Sequence, residues 1–168
     1  IVGIVAGDYI ESDLRTLPVI ASTTLVFGLL LGVADRRSRG KGSPVVLGLG
    51  SAMLIGLAQA IAPIPGVSRS GITITAGLLL GLERQAAARF SFLLSIPVIA
   101  GAGLLKTWEL VSSDATVNWA ILGLGVAVSA CTAYACIAVF LRLLDRVGLM
   151  PFVYYRILLA ALLYGLAF

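Results

Sequence analysis

The chain of 168 residues is 60% hydrophobic and only 12% charged, so it is more apolar than ordinary soluble domains. This composition indicates a membrane protein. The 12 Lys and Arg outnumber the 8 Asp and Glu, but they lie in short connectors and form no long basic face, so we predict no nucleic-acid partner. The sequence contains no histidine, which removes the commonest general base and metal ligand.

The first residues, "IVGIVAGDYIESD", contain no initiator methionine and no basic segment before an apolar core. They therefore do not resemble a signal peptide. We expect the chain to be a piece of a longer protein.

Four segments are long enough to cross a membrane, which takes roughly 20 apolar residues of helix. Each is apolar around its whole circumference, as a position in lipid or inside a bundle requires. The predicted spans are 17–34, 90–108, 119–141 and 152–168. The sequence therefore predicts an all-α, polytopic bundle of transmembrane helices.

Residues 44–82 have a different pattern. A helix over 44–62 would be about 28 Å long, but a helix over 72–82 would reach only about 16 Å. Between them lies "PIPGVSRSG", and such a loop is tolerated at membrane depth only when protein or a water-filled cavity surrounds it. We predict that 44–82 form a re-entrant helix–loop–helix hairpin.

Basic residues predict the topology, because cytoplasmic connectors collect Lys and Arg. The segments "DRRSRGK" (35–41) and "ERQAAAR" (83–89) flank the hairpin, so both of its ends are predicted to be cytoplasmic. The connector at 142–146 carries two arginines and is predicted to face the same side. The outward-facing segments are then the connector with Glu109 and Asp114 and the opening with Asp8, Glu11 and Asp13.

Arg69 lies in the predicted hairpin loop, and a charge at membrane depth costs roughly 2.5 to 3.5 kcal/mol on insertion scales. One interpretation is structural: Arg69 snorkels to an interface or pairs with a buried carboxylate. The other is that its guanidinium fork binds an anion such as phosphate.

The loop around this arginine has the composition of an anion-binding turn. Gly66 and Gly71 allow backbone conformations that other residues reach poorly. Ser70 is predicted to cap a helix that begins at Ile72, which would aim the helix dipole and free N–H groups at the loop. With the hydroxyls of Ser68 and Ser70, these groups predict a phosphate site. We predict that both serines bind rather than attack phosphorus, since no neighbouring base is visible.

Other polar residues have competing interpretations. Gln59 points into the site or packs the hairpin, and Arg89 steers an anionic head group or anchors the cytoplasmic side. Arg156 reaches a phosphate or, as we favour, snorkels beside an interfacial aromatic belt. Glu83 is predicted to pair at the surface with Arg84, Arg89 or the 36–41 cluster.

Four small polar residues are predicted to have structural roles. Thr73 and Thr75 are expected to bond back to the preceding turn of their helix. Cys131 and Cys136 lie in an apolar run without other metal ligands, so we expect them to be packing residues.

Three motifs resemble those of a known family: "PGVSRSG" at 65–71, preceded by Gln59, "ARFSFLLSIP" at 88–97, and "PFVYYRI" at 151–157. In this order they are similar to the undecaprenyl-pyrophosphate phosphatases, also called bacitracin-resistance proteins. The resemblance implies an integral enzyme of the bacterial inner membrane. Such an enzyme removes one phosphate from the C55 lipid pyrophosphate and so recycles the carrier lipid for peptidoglycan synthesis.

The resemblance also implies a fold and a site. The fold pairs two inverted repeats, each with a re-entrant hairpin, and this chain matches the second, so the first repeat is expected to be missing. Arg69 matches the family's functional arginine, with Gly66, Ser68, Ser70 and Gly71 holding the pyrophosphate. Mg²⁺ or Ca²⁺ would be held mainly by glutamates of the missing repeat, and no metal ligand is assigned here. The polyprenyl pyrophosphate and the bilayer are the expected partners, with a homodimer as a further possibility.

Two other functions fit parts of the pattern. One half of a transporter or flippase for an anion or lipid head group would also use broken helices aimed at an anion. A non-catalytic scaffold would need no complete site.

Overall fold

The computed structural model describes residues 16–38, 47–113 and 118–167, and in these ranges every regular element is an α-helix. The six helices are α1 (Leu17–Ser38), α2 (Leu49–Gln59), α3 (Arg69–Leu79), α4 (Arg84–Ser112), α5 (Trp119–Val147) and α6 (Met150–Ala167). The all-α prediction is confirmed. Some predictions lie outside the described residues: those on Asp8, Glu11, Asp13, Arg39, Lys41 and Asp114, and the first residues of the predicted hairpin.

Four helices, α1, α4, α5 and α6, are long and apolar enough to cross a membrane, as predicted for a multi-pass membrane protein. The structure extends α4 and α5 to 29 residues each. At 1.5 Å per residue this is about 44 Å, which matches a bilayer of roughly 40 to 45 Å including its head groups. Both helices continue beyond the predicted spans, because the polar residues at their ends are helical as well.

The hairpin consists of α2 and α3, which have 11 residues each and pack against each other. Each arm is about 16 Å long, too short to cross a membrane. The predicted first arm was too long, because α2 ends at Gln59 and turns follow. Pro63 disfavours helical geometry at the residue before it, which accounts for the early end.

α1 and α6 lie side by side and run antiparallel, as three contacts along their length indicate. Near one end the hydroxyls of Ser22 and Tyr164 are 2.6 Å apart. In the middle, Cβ atoms added to Gly28 and Gly32 would lie 3.0 Å from Arg156 Cβ and 3.2 Å from Val153 Cγ1. The two glycines, four residues apart, therefore permit the close approach of α6, as small residues do between membrane helices.

A polar cluster joins α1, α4 and α5 at the other end of α1. Arg84 donates from Nε and Nη2 to the two carboxylate oxygens of the fully buried Asp35, at 2.5 and 3.0 Å. Gln85 at the start of α4 donates to Asp145 near the end of α5. Arg84, predicted as one partner of Glu83, thus pairs with Asp35 instead.

These contacts define a basic end of the molecule. It holds the end of α1 with Arg36 and Arg37, the start of α4 with Arg84, and the end of α5 with Arg146. The predicted clustering of these connectors on one side is therefore found in the fold.

The hydrophobic core lies towards this basic end, and all six helices or their adjoining turns contribute to it. Its buried members are Leu31, Ala34, Ile55, Ile74, Leu78, Leu82, Ala87, Ala88, Leu144, Leu149 and Val153. α5 adds only Leu144, and the rest of that helix is largely exposed. Cys131 and Cys136 are exposed on it, so the prediction that they pack is wrong within the described chain.

Gly28→Leu tests the close packing of α1 against α6. The new side chain would meet Arg156, so we expect the variant to lose about 1 to 3 kcal/mol of stability, as overpacked sites do. Thermal unfolding in detergent measures this. Gly123→Leu is the control, because a Cβ there meets nothing within 4 Å. Equal unfolding temperatures for the two variants would contradict the predicted contact.

Candidate anion-binding site

The loop between α2 and α3 turns sharply at Gly66, whose φ is 87°. Residues with a side chain rarely adopt this left-handed conformation. A Cβ at this position would also lie 2.6 Å from the carbonyl oxygen of Ile20 in α1. Gly66 is therefore required both by its backbone conformation and by the closeness of α1.

Side chains of α1 and α6 hold this loop by its carbonyl groups. The Thr23 hydroxyl donates to the Pro65 oxygen at 2.6 Å, and the Thr24 hydroxyl reaches the Gly66 oxygen at 3.4 Å. Arg156 donates from Nη2 to the Gly66 oxygen at 2.7 Å and from Nε to the Thr24 oxygen at 3.3 Å. One guanidinium thus joins α6, α1 and the loop.

The favoured prediction that Arg156 snorkels to the surface is wrong. The residue is only 9% exposed, because Gly28 lets α6 approach α1 closely and carbonyl oxygens accept hydrogen bonds from Nε and Nη2. A signal for this was present in the sequence: Arg156 lies almost two turns inside an apolar helix, and ionisable residues at such depth are usually functional.

α3 begins at Arg69, three residues before the predicted start at Ile72. Ser68, not Ser70, is the N-cap: its side chain accepts a hydrogen bond from the Gly71 amide at 3.2 Å. Ser70 therefore lies inside the first turn, 3.3 Å from Ser68 by their hydroxyl oxygens. The amides of Arg69 and Ser70 have no acceptor within the helix, since the first N–H groups of a helix lack one.

A cavity of about 440 Å³ opens beside this turn. Its polar side is formed by Thr24, Gly66, Ser68, Ser70, Gly71 and Arg156. Arg156 Nη1 lies close to Gly71, 3.3 Å from where a Cβ would stand, and has no hydrogen-bond acceptor among the described residues. A free cationic N–H, two hydroxyls and the positive end of a helix dipole favour an anion here.

The remaining wall of the cavity is apolar. It is lined by Ile20, Leu31, Val67, Ile74, Phe140, Leu149, Phe152, Tyr155 and Leu159. Most of this wall comes from α1, α5 and α6 rather than from the hairpin. The arrangement can bind a molecule with an anionic head and an apolar chain.

The loop lies far from the basic end of the molecule. Gly66 is bound to Thr24 of α1, whereas Leu82, just after α3, accepts a hydrogen bond from Ser38 at the end of α1. Thr24 and Ser38 are separated by about 21 Å of helix. Measured from the basic end, the loop thus lies beyond the middle of α1, since that middle is near Gly28.

The structure brings together four of the predicted binding residues, since Gly66, Ser68, Ser70 and Gly71 all line the cavity. Arg69 and Arg89 are exposed and do not line it. Gln59 is half-buried outside the lining, with its Oε1 buried and without a hydrogen-bond partner.

Thr73 and Thr75 bond back along α3 as predicted, to the oxygens of Arg69 at 2.9 Å and Gly71 at 2.7 Å. Sequence analysis missed the second contact of Thr73, whose hydroxyl lies 2.6 Å from that of Ser91 in α4. It also missed Thr23 and Thr24, which look like ordinary residues of an apolar helix.

The described residues do not fit a metal ion at this site. They contain no group of three or more His, Cys, Asp or Glu that could hold one, and the cavity lining includes no carboxylate. The prediction that Mg²⁺ or Ca²⁺ is held by another part of the protein stays a prediction.

Comparison with known proteins gives one matching family model and close relatives. The model is described as "Bacitracin resistance protein BacA" and matches residues 1–162. The undecaprenyl-diphosphatase of Alcanivorax borkumensis is 58% identical over 98% of this chain and 63% of its own length. That of Teredinibacter turnerae is 57% identical over 96% and 61%. The chain thus spans less than two thirds of these relatives.

Gly66→Ala tests the loop conformation. The left-handed backbone costs about 1 to 2 kcal/mol for a residue with a Cβ, and the approach of the Ile20 carbonyl adds to it. We expect a lower unfolding temperature in detergent. Gly56→Ala is the matched control in α2, where a Cβ meets nothing and alanine favours the helix. A stable Gly66→Ala variant would refute the conformational requirement.

Arg156→Lys tests the guanidinium contacts. Lysine keeps the charge but lacks the fork that reaches the Gly66 and Thr24 oxygens together, so we expect a loss of about 2 kcal/mol from an unsatisfied buried group. Unfolding in detergent measures it, and Arg142→Lys on the exposed part of α5 is the control. If both variants unfold like the parent, these hydrogen bonds do not hold the loop.

Proposed function

Because the chain belongs to the BacA family of bacitracin-resistance proteins, we propose that it supplies part of the active site of an undecaprenyl-diphosphatase. The substrate is a polyprenyl pyrophosphate, which loses one phosphate so that the carrier lipid is recycled for cell-envelope synthesis. The observation that carries this proposal is the cavity, whose polar side faces an apolar wall. A lipid pyrophosphate has the same division into anionic head and apolar chain.

In this proposal the head group binds at the start of α3. The hydroxyls of Ser68 and Ser70, the free amides of the first turn and Arg156 Nη1 donate to phosphate oxygens. Gly66 and Gly71 let the backbone approach the phosphate, because a side chain at Gly71 would crowd Arg156 Nη1. Donors already held in place stabilise charge that develops during phosphoryl transfer, which is mostly a matter of positioning and electrostatics.

Arg69 is proposed to neutralise charge on the transferred phosphate. It is the first residue of α3 and is exposed, so its side chain is free to reach an anion at the cavity mouth. Arg156 is already engaged with two carbonyl oxygens. In this proposal the two arginines have different roles: Arg156 holds the loop, and Arg69 contacts the phosphate.

We propose that the hairpin is re-entrant in the bacterial inner membrane. Its basic end faces the cytoplasm by the positive-inside tendency, and the loop then lies in the outer half of the bilayer. Leu31, Ile74, Leu149 and Phe152 line the cavity between the loop and the basic end. A lipid of the outer leaflet fits this order, with its head outward and its chain inward.

Three further predictions from the sequence form part of this proposal. Gln59 stays a candidate site residue, since its buried Oε1 lacks a partner among the described residues. Arg89 is exposed and stays a candidate for steering the head group or anchoring the helix. A homodimer also stays a prediction.

Phosphate release from a C15 or C55 prenyl pyrophosphate in detergent with Mg²⁺ tests the function. The proteins are this chain, the chain joined to the part of the Alcanivorax relative that the alignment leaves uncovered, and the joined protein with Arg69→Ala. We expect activity in the joined protein. Arg69→Ala should lower kcat about 100-fold, as loss of a transition-state donor does.

Arg142→Ala is the matched control, because Arg142 is exposed on α5 and does not line the cavity. This variant should retain activity. A joined protein that folds and binds the lipid without releasing phosphate would favour a transporter or flippase. Equal losses in the Arg69 and Arg142 variants would refute the role of Arg69.

A further inference from the structure

A buried pair of hydroxyl groups lies between α3 and α4. Thr73 is 1% exposed and Ser91 is 3% exposed, and their oxygens are 2.6 Å apart. Around them the interface is apolar, with Ile74, Ala87 and Ala88 buried nearby in the chain. Among the described residues this is the one hydrogen bond between side chains of the two helices.

The donors and acceptors of the pair set its direction. The Thr73 hydroxyl has one proton, which it donates to the Arg69 oxygen at 2.9 Å, with the Ser70 oxygen at 3.2 Å. Its lone pairs are then left to accept the proton of Ser91. Ser91 has no other hydrogen-bond partner among the described residues. The chain of hydrogen bonds runs from Ser91 through Thr73 to the backbone of Arg69.

This series of hydrogen bonds ends on the turn that forms the anion site. Thr73 bonds to the Arg69 backbone oxygen one turn earlier, so a contact that fixes Thr73 also fixes the backbone of the first turn of α3. The loop before α3 is held by its carbonyl groups alone, which accept hydrogen bonds from Thr23 and Thr24 of α1 and from Arg156 of α6. A buried hydroxyl is costly without a partner, so the Thr73–Ser91 bond specifies how α3 is rotated against α4.

We propose that Ser91 is a positioning residue for the anion site, acting through Thr73 on the first turn of α3. The expected effect on catalysis rests on the proposed phosphatase function. The expected effect on the structure of α3 does not. Ser91 does not touch the substrate: it does not line the cavity. Its hydroxyl fixes the rotation of the first turn of α3, where Ser70 and Gly71 line the cavity.

Kinetics of the joined protein test the catalytic consequence. Ser91→Ala should lower kcat about fivefold, the factor that corresponds to one net hydrogen bond, while KM stays within about twofold. Thr73→Val should lower kcat at least as much, and Ser91→Ala should cause no further loss in the Thr73→Val background. Independent, multiplying losses would overturn the inference, because Ser91 would then not act through Thr73.

Ser95→Ala is the matched control. Ser95 lies one turn further along α4, and its hydroxyl bonds to the Phe92 oxygen of its own helix at 2.6 Å. We expect kcat near that of the parent. An equal loss in the Ser95 and Ser91 variants would mean that any serine of α4 has this effect, and would also overturn the inference.

Hydrogen exchange separates this inference from the proposed function. In this chain without substrate, Ser91→Ala should make the Gly71 and Ile72 amides exchange about fivefold faster than in Ser95→Ala. Mass spectrometry of the peptide over 69–73 measures it. Unchanged exchange refutes the positioning role, whereas an inactive joined protein with faster exchange refutes only the phosphatase function.

Discussion

The site depends on one guanidinium group. Arg156 donates to the carbonyl oxygens of Gly66 and Thr24, and through these bonds α6 holds α1 and the hairpin loop together. An irregular turn leaves carbonyl groups without partners in the chain's own helices, and here Arg156, Thr23 and Thr24 donate to them. The guanidinium and the loop carbonyls thus satisfy part of each other's hydrogen-bonding capacity.

This arrangement requires close approach on two sides. Gly28 allows the backbone of α6 to approach α1 at the level of Arg156, and Gly66 allows the loop to approach Ile20. Larger residues at either position would separate the carbonyl oxygens from the guanidinium. Small residues therefore determine where the charged residue is able to bind.

The hairpin makes different contacts at its basic end and at its loop. Towards the basic end, the Asp35–Arg84 pair and the hydrophobic core hold the helices together. At the loop, hydroxyl and amide groups remain free to face the cavity. The stable packing is thus separated from the polar groups that an anion would contact. α5 joins the other helices through Leu144 in the core, through Asp145, which accepts from Gln85, and through Phe140, which packs against Phe92 and Phe152.

The sequence by itself determined the all-α membrane class, the four long helices, the broken pair between them and the turn around Gly66, because hydropathy, helix length and glycine–proline chemistry are local properties. Only the tertiary structure decided that Ser68 caps α3, that Arg156 is buried against the loop rather than at the surface, and that Ser91 meets Thr73. These depend on how closely α6 approaches α1 and how α3 is rotated against α4. Such distances are set by packing between segments far apart in the chain, which no local pattern encodes.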